Sequence, residues 1–263
     1  NNDMIFDCKN GEYYLPGSRV LIHDHEPYQN LFLDQILIHS SNIGIAKLSS
    51  IIGVEETFNS LKSFGLGVKT GIELPGEEKG ILRPLKSWSK ISSPMVSMGQ
   101  EVSITNLQLS MIYASIANEG YLIKPKIIKN IKGIIQDDDL NEIELIRKVM
   151  SKDKSKKLLE ILTEAVEQGT GTNAIINGYK IAGKTGTAEK FINGEYSKKY
   201  FVSSFASIFP ADTPKFVCII SVDSPEYHKH WGNITAAPIA KEIYKQIIIN
   251  DYLPNNRSNR ETI

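Results

Sequence analysis

Lys184, Thr185 and Thr187 are the residues of this sequence whose types and spacing best suit chemistry. They lie in Tyr179-Lys180-Ile181-Ala182-Gly183-Lys184-Thr185-Gly186-Thr187-Ala188, a stretch with apolar or aromatic residues followed by a small-residue patch. Read as a strand, it directs Thr185 and Thr187, two apart, to the same face. Glycine inside a strand marks a close approach by a ligand or another backbone, here at Gly183 and Gly186. One cation and two hydroxyls on an unencumbered strand edge suit a carboxylate docked alongside the backbone.

The same letters fit a phosphate-binding loop. Gly178 to Thr185 matches G-x-x-x-x-G-K-[ST], and Asp223 closes the apolar run from Phe216, where a metal-holding acid could stand. That motif needs a strand before it and a helix after it. Gly169-Thr-Gly-Thr-Asn173 ahead of it reads as a loop, and Thr187 to Gly194 is too short and glycine-broken for a docking helix. The nucleotide reading is therefore the alternative.

A second group is Ser40-Ser41-Asn42, set between apolar segments that begin at Asn30 and Ile43. Serine and asparagine there serve as helix N-caps. Alternatively, the Ser40 hydroxyl and the Asn42 amide project from an interhelix loop into a cleft, with Ser41 the residue that best tolerates alanine. His23-Asp24-His25-Glu26 and His228-x-His230 invite a metal reading, but adjacent ligands without a distant partner pair make a weak site. A hydrogen-bonded turn is the simpler reading of both.

The elements that must position these groups follow from periodicity and breakers. A short strand is expected at Arg19 to Ile22, a helix from Asn30, another after Ser-Ser-Asn, and one over Val54 to Phe64 stopped by Gly65 and Gly67. Gly71 to Gly80 is a turn-rich connector, and Ser92 to Val102 is polar and small with no element assigned. Thr105 caps a helix to Asn118, Tyr121 to Ile135 alternates as a strand, and Asp137 to Asp139 mark an exposed turn. Ser151 caps a long helix to Gln168 with Leu158, Leu159, Leu162, Ala165 and Val166 on its apolar face. Strands Phe201 to Phe209 and Lys215 to Val222 follow the Lys184 strand, and a helix from Ala236 to Ile249 closes the pattern. Three strands with short links form an antiparallel sheet, and helices on either side make the class α+β or layered α/β. The expected division is a mostly helical portion over 1–150, a helix plus sheet over 151–250 and a fraying tail over 251–263.

Composition narrows the partners. Lys+Arg and Asp+Glu both total 30, so no charge imbalance points to nucleic acid or an anionic membrane as the main partner. No apolar run reaches the ~18–20 residues of a spanning helix and no signal-peptide pattern is visible, so soluble behaviour is expected. Two cysteines, Cys8 and Cys218, are too few for a disulfide scaffold; Cys218 reads as a packed thiol inside a strand.

Taken together, Ser40-Ser41-Asn42 and Lys184-Thr185-Gly186 resemble two of the three signatures of penicillin-binding proteins and serine β-lactamases. Phe6-Asp7-Cys8, Ile22-His23-Asp24-His25, Leu74-Pro75-Gly76-Glu77, Thr105-x-Leu107-Gln108-Leu109, Ala117-Asn118-x-Gly120 and Ala236-Ala237-Pro238 extend the likeness, in family order, to the class B transpeptidase domain. Ser87 to Val102 is similar to the division (FtsI-like) type. The resemblance implies a peptidoglycan D,D-transpeptidase: a serine attacks a D-Ala-D-Ala stem peptide, and an amine from a neighbouring stem resolves the acyl-enzyme. It implies that Ser40 and Asn42 shuttle a proton and orient the substrate amide. Lys184, Thr185 and Thr187, with Gly186 between them, would hold the terminal carboxylate or that of a β-lactam, and the Thr187 N–H would serve the oxyanion. It implies no metal, nucleotide or other cofactor, division-machinery membrane proteins as partners, and a bacterial envelope location with the domain outside the cytoplasmic membrane.

The family's third signature, Ser-x-x-Lys, lies roughly fifty residues before Ser-x-Asn, and that count runs past residue 1. Ser87 to Lys90 and Ser151 to Lys154 match its letters but follow Ser40. The expectation is that neither is the nucleophile and that this chain alone forms no penicillin adduct. The alternatives kept beside the transpeptidase are a P-loop NTPase, a non-catalytic cell-wall-binding relative, and a β-lactamase whose hydrolytic base is not identified.

Overall fold

The computed structural model describes residues 4–128 and 143–250. Its centre is an antiparallel sheet of three strands in the order β11-β10-β9: β9 (Ala182–Ile192), β10 (Glu195–Phe209) and β11 (Phe216–Asp223). Alternation along β10 decides which layer each side chain joins. Phe205 and Phe209 face helix α8 (Ala237–Ile249) and pack with Ala240, Tyr244 and Ile248. Ala206 and Ile208 point the other way, into a second cluster with Tyr113, Ile116 and Leu162. Those come from α5 (Asn106–Ala117) and α6 (Lys152–Glu167), so helices cover both faces of the sheet. This is the expected α+β class, realised as a helix–sheet–helix sandwich.

The caps read from sequence hold. The Thr105 hydroxyl accepts the Gln108 N–H at 3.1 Å, and the Gln108 side chain answers at the Thr105 N–H, a reciprocal box. Ser151 accepts from the Lys154 N–H at the head of α6. α3 (Val54–Ser63) ends before Gly65, which takes φ 90°, a value that costs glycine little.

Cluster by cluster, the amino-terminal part departs from expectation. Asn30–Phe32 is not helical: it is strand β4, paired antiparallel with β1 (Ile5–Asp7), and only from Leu33 does helix α1 (Leu33–Ile38) begin. β2 (Glu12–Tyr14) pairs with β3, which runs Leu21–His23 instead of Arg19 to Ile22. These ribbons bury Phe6, Cys8, Leu15, Ile22 and Leu31 against α1 and α2 (Asn42–Ile52), a core that runs of three residues do not announce. The polar stretch from Ser92 forms α4 (Ser92–Ser97), buried at Ser92, Ser93, Pro94 and Val96. β5 (Ile81–Leu82) and β6 (Val102–Ser103) form a short pair. The strand expected over Tyr121 to Ile135 is realised only as β7 (Tyr121–Ile123), paired with β8 (Leu145–Lys148); residues 124–128 are irregular, and 129–135, Asp137 to Asp139 and the tail 251–263 lie outside the described residues. Cys8 is fully buried and Cys218 half-buried, both as free thiols, and burial raises both pKa values.

Candidate active site

The Ser40-Ser41-Asn42 triplet divides its labour by direction. His39 ends α1, and Ser40 takes the left-handed conformation (φ 60°), uncommon for a residue with a side chain. The turn leaves Ser40 exposed and sends the chain into α2, where Ser41 is N-cap and accepts the Gly44 N–H at 2.9 Å. The Ser41 hydroxyl then donates to Asp24 Oδ2 at 2.6 Å, and Asp24 Oδ1 accepts the Ile43 N–H at 2.9 Å. The capping reading is therefore realised at Ser41, while Ser40 is exposed in the turn and Asn42 opens α2. Asn42 is held by its Nδ2, which donates to the His23 carbonyl at 2.9 Å.

Opposite stands β9, an edge strand of the described sheet. It runs unbroken through Lys184, Thr185, Gly186 and Thr187 to Ile192, so no helix begins at Thr185 and the phosphate-loop reading fails. The close approach expected at Gly186 is made by the protein itself. A Cβ there would lie 2.6 Å from Ser204 Oγ, and the Gly232 backbone sits against Gly186. Gly232 opens the short helix α7 (Gly232–Thr235) and donates its N–H to Thr187 Oγ1 at 3.2 Å. Among the described residues no acceptor takes the Thr187 hydroxyl proton.

Lys184 reaches sideways instead of straight into the opening. Its Nζ donates to Thr170 Oγ1 at 3.1 Å and to the Thr185 carbonyl at 3.2 Å, and Thr185 Oγ1 donates to the same Thr170 oxygen at 2.8 Å. Burial of the ammonium without a carboxylate partner pushes its pKa down to about 8. A partly desolvated cation beside two hydroxyls is suited to an anionic group.

Between these walls lies a cleft of about 580 Å³. Ser40 and Asn42 line one side, and Thr170, Thr185, Gly186 and Thr187 line the other. His25, Tyr28, His39, Met98 and Trp231 complete the rim. The structure thus brings together five of the six residues singled out in sequence, and Lys184 supports them from beneath through Thr170. Thr170 gave no signal beyond a glycine-rich loop, and Trp231 none at all. Ser87 lies in a separate turn and Ser151 is tied up as a helix cap; neither lines the cleft. The metal-like run His23 to Glu26 is spent on the triplet, since both Asp24 oxygens are occupied by Ser41 and Ile43.

A helix–sheet–helix sandwich with a serine–amide loop facing a Lys-Thr-Gly edge strand defines the serine acyl-transfer class of cleft. The chain belongs to the penicillin-binding protein transpeptidase domain family, whose model matches residues 1–245. It is 34% identical over 242 residues to the peptidoglycan D,D-transpeptidase FtsI of Buchnera aphidicola, covering 91% of this chain and 41% of that protein. The apo transpeptidase domain of Burkholderia pseudomallei penicillin-binding protein 3 superposes with a TM-score of 0.86 at 29% identity, covering 97% of this chain and 74% of that one. Penicillin-binding protein 3 of Mycobacterium tuberculosis, complexed with aztreonam, gives a TM-score of 0.82 at 31% identity, covering 93% and 57%. The chain spans about a third to a half of the length of the curated relatives it matches. Nothing in these comparisons supports the nucleotide-hydrolase or the non-catalytic alternative.

Proposed function

We propose that this chain forms the substrate-holding part of a peptidoglycan D,D-transpeptidase cleft that takes D-Ala-D-Ala stem peptides and β-lactams. The observation that carries the reading is the juxtaposition of Ser40 and Asn42 with the Thr185–Thr187 edge across one cleft, over a buried ammonium. The terminal carboxylate docks along β9, accepting a hydrogen bond from the Thr187 hydroxyl within the field of Lys184. Asn42, fixed by the His23 carbonyl at its nitrogen, presents its oxygen to a substrate N–H. Ser40 relays a proton to or from the departing amine.

In the reaction itself, a serine hydroxyl of a Ser-x-x-Lys element adds to the D-Ala-D-Ala carbonyl. The C–N bond breaks, and D-alanine leaves with the proton. An amine of a second stem then adds to the ester carbonyl, the serine oxygen leaves and regains a proton, and a peptide cross-link results. Alternate backbone groups of edge strand β9 supply donors for the oxyanion. The similarity to FtsI and to penicillin-binding protein 3 supports an envelope location, a role in division and contacts with division-machinery membrane proteins.

Titration of the chain with benzylpenicillin and with an N-acyl-D-Ala-D-Ala peptide tests this. NMR signals of Ser40, Asn42 and Thr185 to Thr187 shift saturably, and Lys184→Ala weakens binding about tenfold to a hundredfold, as expected for a charge-assisted contact. Absence of saturable shifts at these residues would refute the reading. So would saturable Mg-ATP binding that is lost in Lys184→Ala.

A further inference from the structure

The two walls of the cleft touch at its mouth through a pair of rings to which no role above is assigned. The strap His23 to Glu26 runs along the Ser40–Asn42 wall and is pinned to it twice. The His23 carbonyl holds Asn42 Nδ2 at 2.9 Å, and Asp24 holds Ser41 and Ile43. The next residue leaves that wall. The His25 ring stands 4.4 Å from the Trp231 ring, centroid to centroid, with the planes tilted by 49°.

Trp231 belongs to the opposite wall. It is the N-cap of α7, and the residue after it, Gly232, donates its N–H to Thr187 Oγ1. A second ring, His230, backs Trp231 at 4.5 Å and is itself stacked on Phe201 of β10 at 4.2 Å with planes 19° apart. From Asn42 to Thr187 the connection is therefore hydrogen bond, peptide units, ring contact, peptide unit, hydrogen bond. His25 and Trp231 are both largely exposed. Two exposed rings held in tilted contact need backbones fixed on both sides, and the hydrogen bonds named above supply that. Glu26 lies beside His25, with its Oε1 3.9 Å from His25 Nε2.

We propose that His25 is a positioning residue: with Trp231 it clamps the mouth of the cleft and fixes the separation between the Asn42 amide and the Thr187 hydroxyl. This rests on the cleft binding a ligand that spans both groups, as proposed above. A ligand with an amide N–H and a carboxylate must satisfy Asn42 and Thr187 at once. A clamp that sets their spacing beforehand removes part of the ordering cost of binding. The contact works through ring shape and area, not through charge, so phenylalanine substitutes for histidine.

The test has a ligand-free arm and a ligand arm. In the free protein, His25→Ala shifts the NMR signals of the Gly232 N–H, the Thr187 hydroxymethyl group and the Asn42 side-chain amide together, and His25→Phe restores them. Trp231→Ala moves the same three from the other side. Changes confined to Asp24 and Glu26, with Gly232 and Thr187 unmoved, would overturn the clamp. In the ligand arm, His25→Ala and Trp231→Ala each weaken benzylpenicillin binding about two- to tenfold, the range for one ring pair, and the double variant weakens it no further. Additive losses would overturn the proposal. Absence of any penicillin binding by the unaltered chain, with the ligand-free shifts as described, would leave the clamp standing and remove the transpeptidase reading instead.

Discussion

Lys184 carries a pH dependence of definite sign. Burial lowers its pKa from 10.5 to about 8, so between those values the unfolded chain binds more protons than the folded one. Lys184 therefore adds a stability contribution that rises with pH across that window, where an ordinary surface lysine adds none. The raised pKa values of Cys8, Cys218, Tyr113 and Tyr244 slope the other way, so the difference in urea stability between the unaltered chain and Lys184→Met, followed from pH 7.5 to 10.5, isolates the lysine, and that difference grows with pH. Ligand binding has the opposite sign. An anion docked beside Lys184 favours the ammonium, so affinity for a carboxylate ligand falls as pH rises above about 8 and binding takes up a proton there. Calorimetry in buffers of different ionisation enthalpy measures that uptake. At the same scale, Ser41, expected to tolerate alanine best in acylation, has a separate structural role. Its buried hydroxyl caps α2 and satisfies Asp24. Ser41→Ala leaves the carboxylate and the Gly44 N–H short of partners and costs about 1–3 kcal/mol of stability. Ser40→Ala, at an exposed hydroxyl, costs less; equal denaturant midpoints for the two variants would contradict this.

Strand β9 packs closely on both of its faces because two of its residues have no side chain. Gly183 faces the core: a Cβ there would come 2.7 Å from Phe205 Cζ and 3.0 Å from the Ala206 carbonyl. Phe205 is fully buried and cannot move aside. Gly183→Ala is expected to destabilise by about 1–3 kcal/mol through overpacking, read as a lower denaturant midpoint at unchanged slope. Gly186 serves the layer above, where α7 lies close enough to the strand for Gly232 to bond Thr187. Gly183, the last glycine of the phosphate-loop pattern, and Gly186 beyond it are thus packing positions on either side of one strand.

Across the whole molecule, α6 joins the parts. It packs on β9 and meets both α1, which leads into the Ser40 turn, and α5, which covers the sheet. The loop leaving it carries Thr170 into the cleft. The two tryptophans report from different places: Trp88 is edge-on to Phe58, 5.6 Å away, and Trp231 stands at the cleft. With α6 as shared scaffold, unfolding followed through Trp88 in Trp231→Phe and through Trp231 in Trp88→Phe gives coincident transitions once each curve is referred to its variant's own stability by a common probe. Within either single-tryptophan variant, a fluorescence midpoint separate from the circular dichroism midpoint would mean that the helical and sheet portions unfold independently.

What the sequence determined by itself is the material carried by local chemistry. The cap residues Thr105 and Ser151, the three-strand alternation ending in Asp223 and the apolar face of α6 were all legible, because each is a pattern within one element. So were Ser40, Asn42 and the Lys184–Thr187 run, since their residue types and order carry a family's signature. Asn30–Phe32 misread as helix because its periodicity continues into α1, and only pairing with Ile5–Asp7 makes it a strand. The polar Ser92–Ser97 gave no helical signal, because Ser92 and Ser93 are buried and satisfied by partners elsewhere in the chain. Tertiary structure alone decided that Thr170 holds Lys184, that Asp24 serves Ser41 and that His25 meets Trp231 across the cleft. The reason is distance along the chain. Those partners lie 14, 17 and 206 residues apart, and no local propensity or spacing encodes a contact that exists only after the sheet and α6 have brought the walls together.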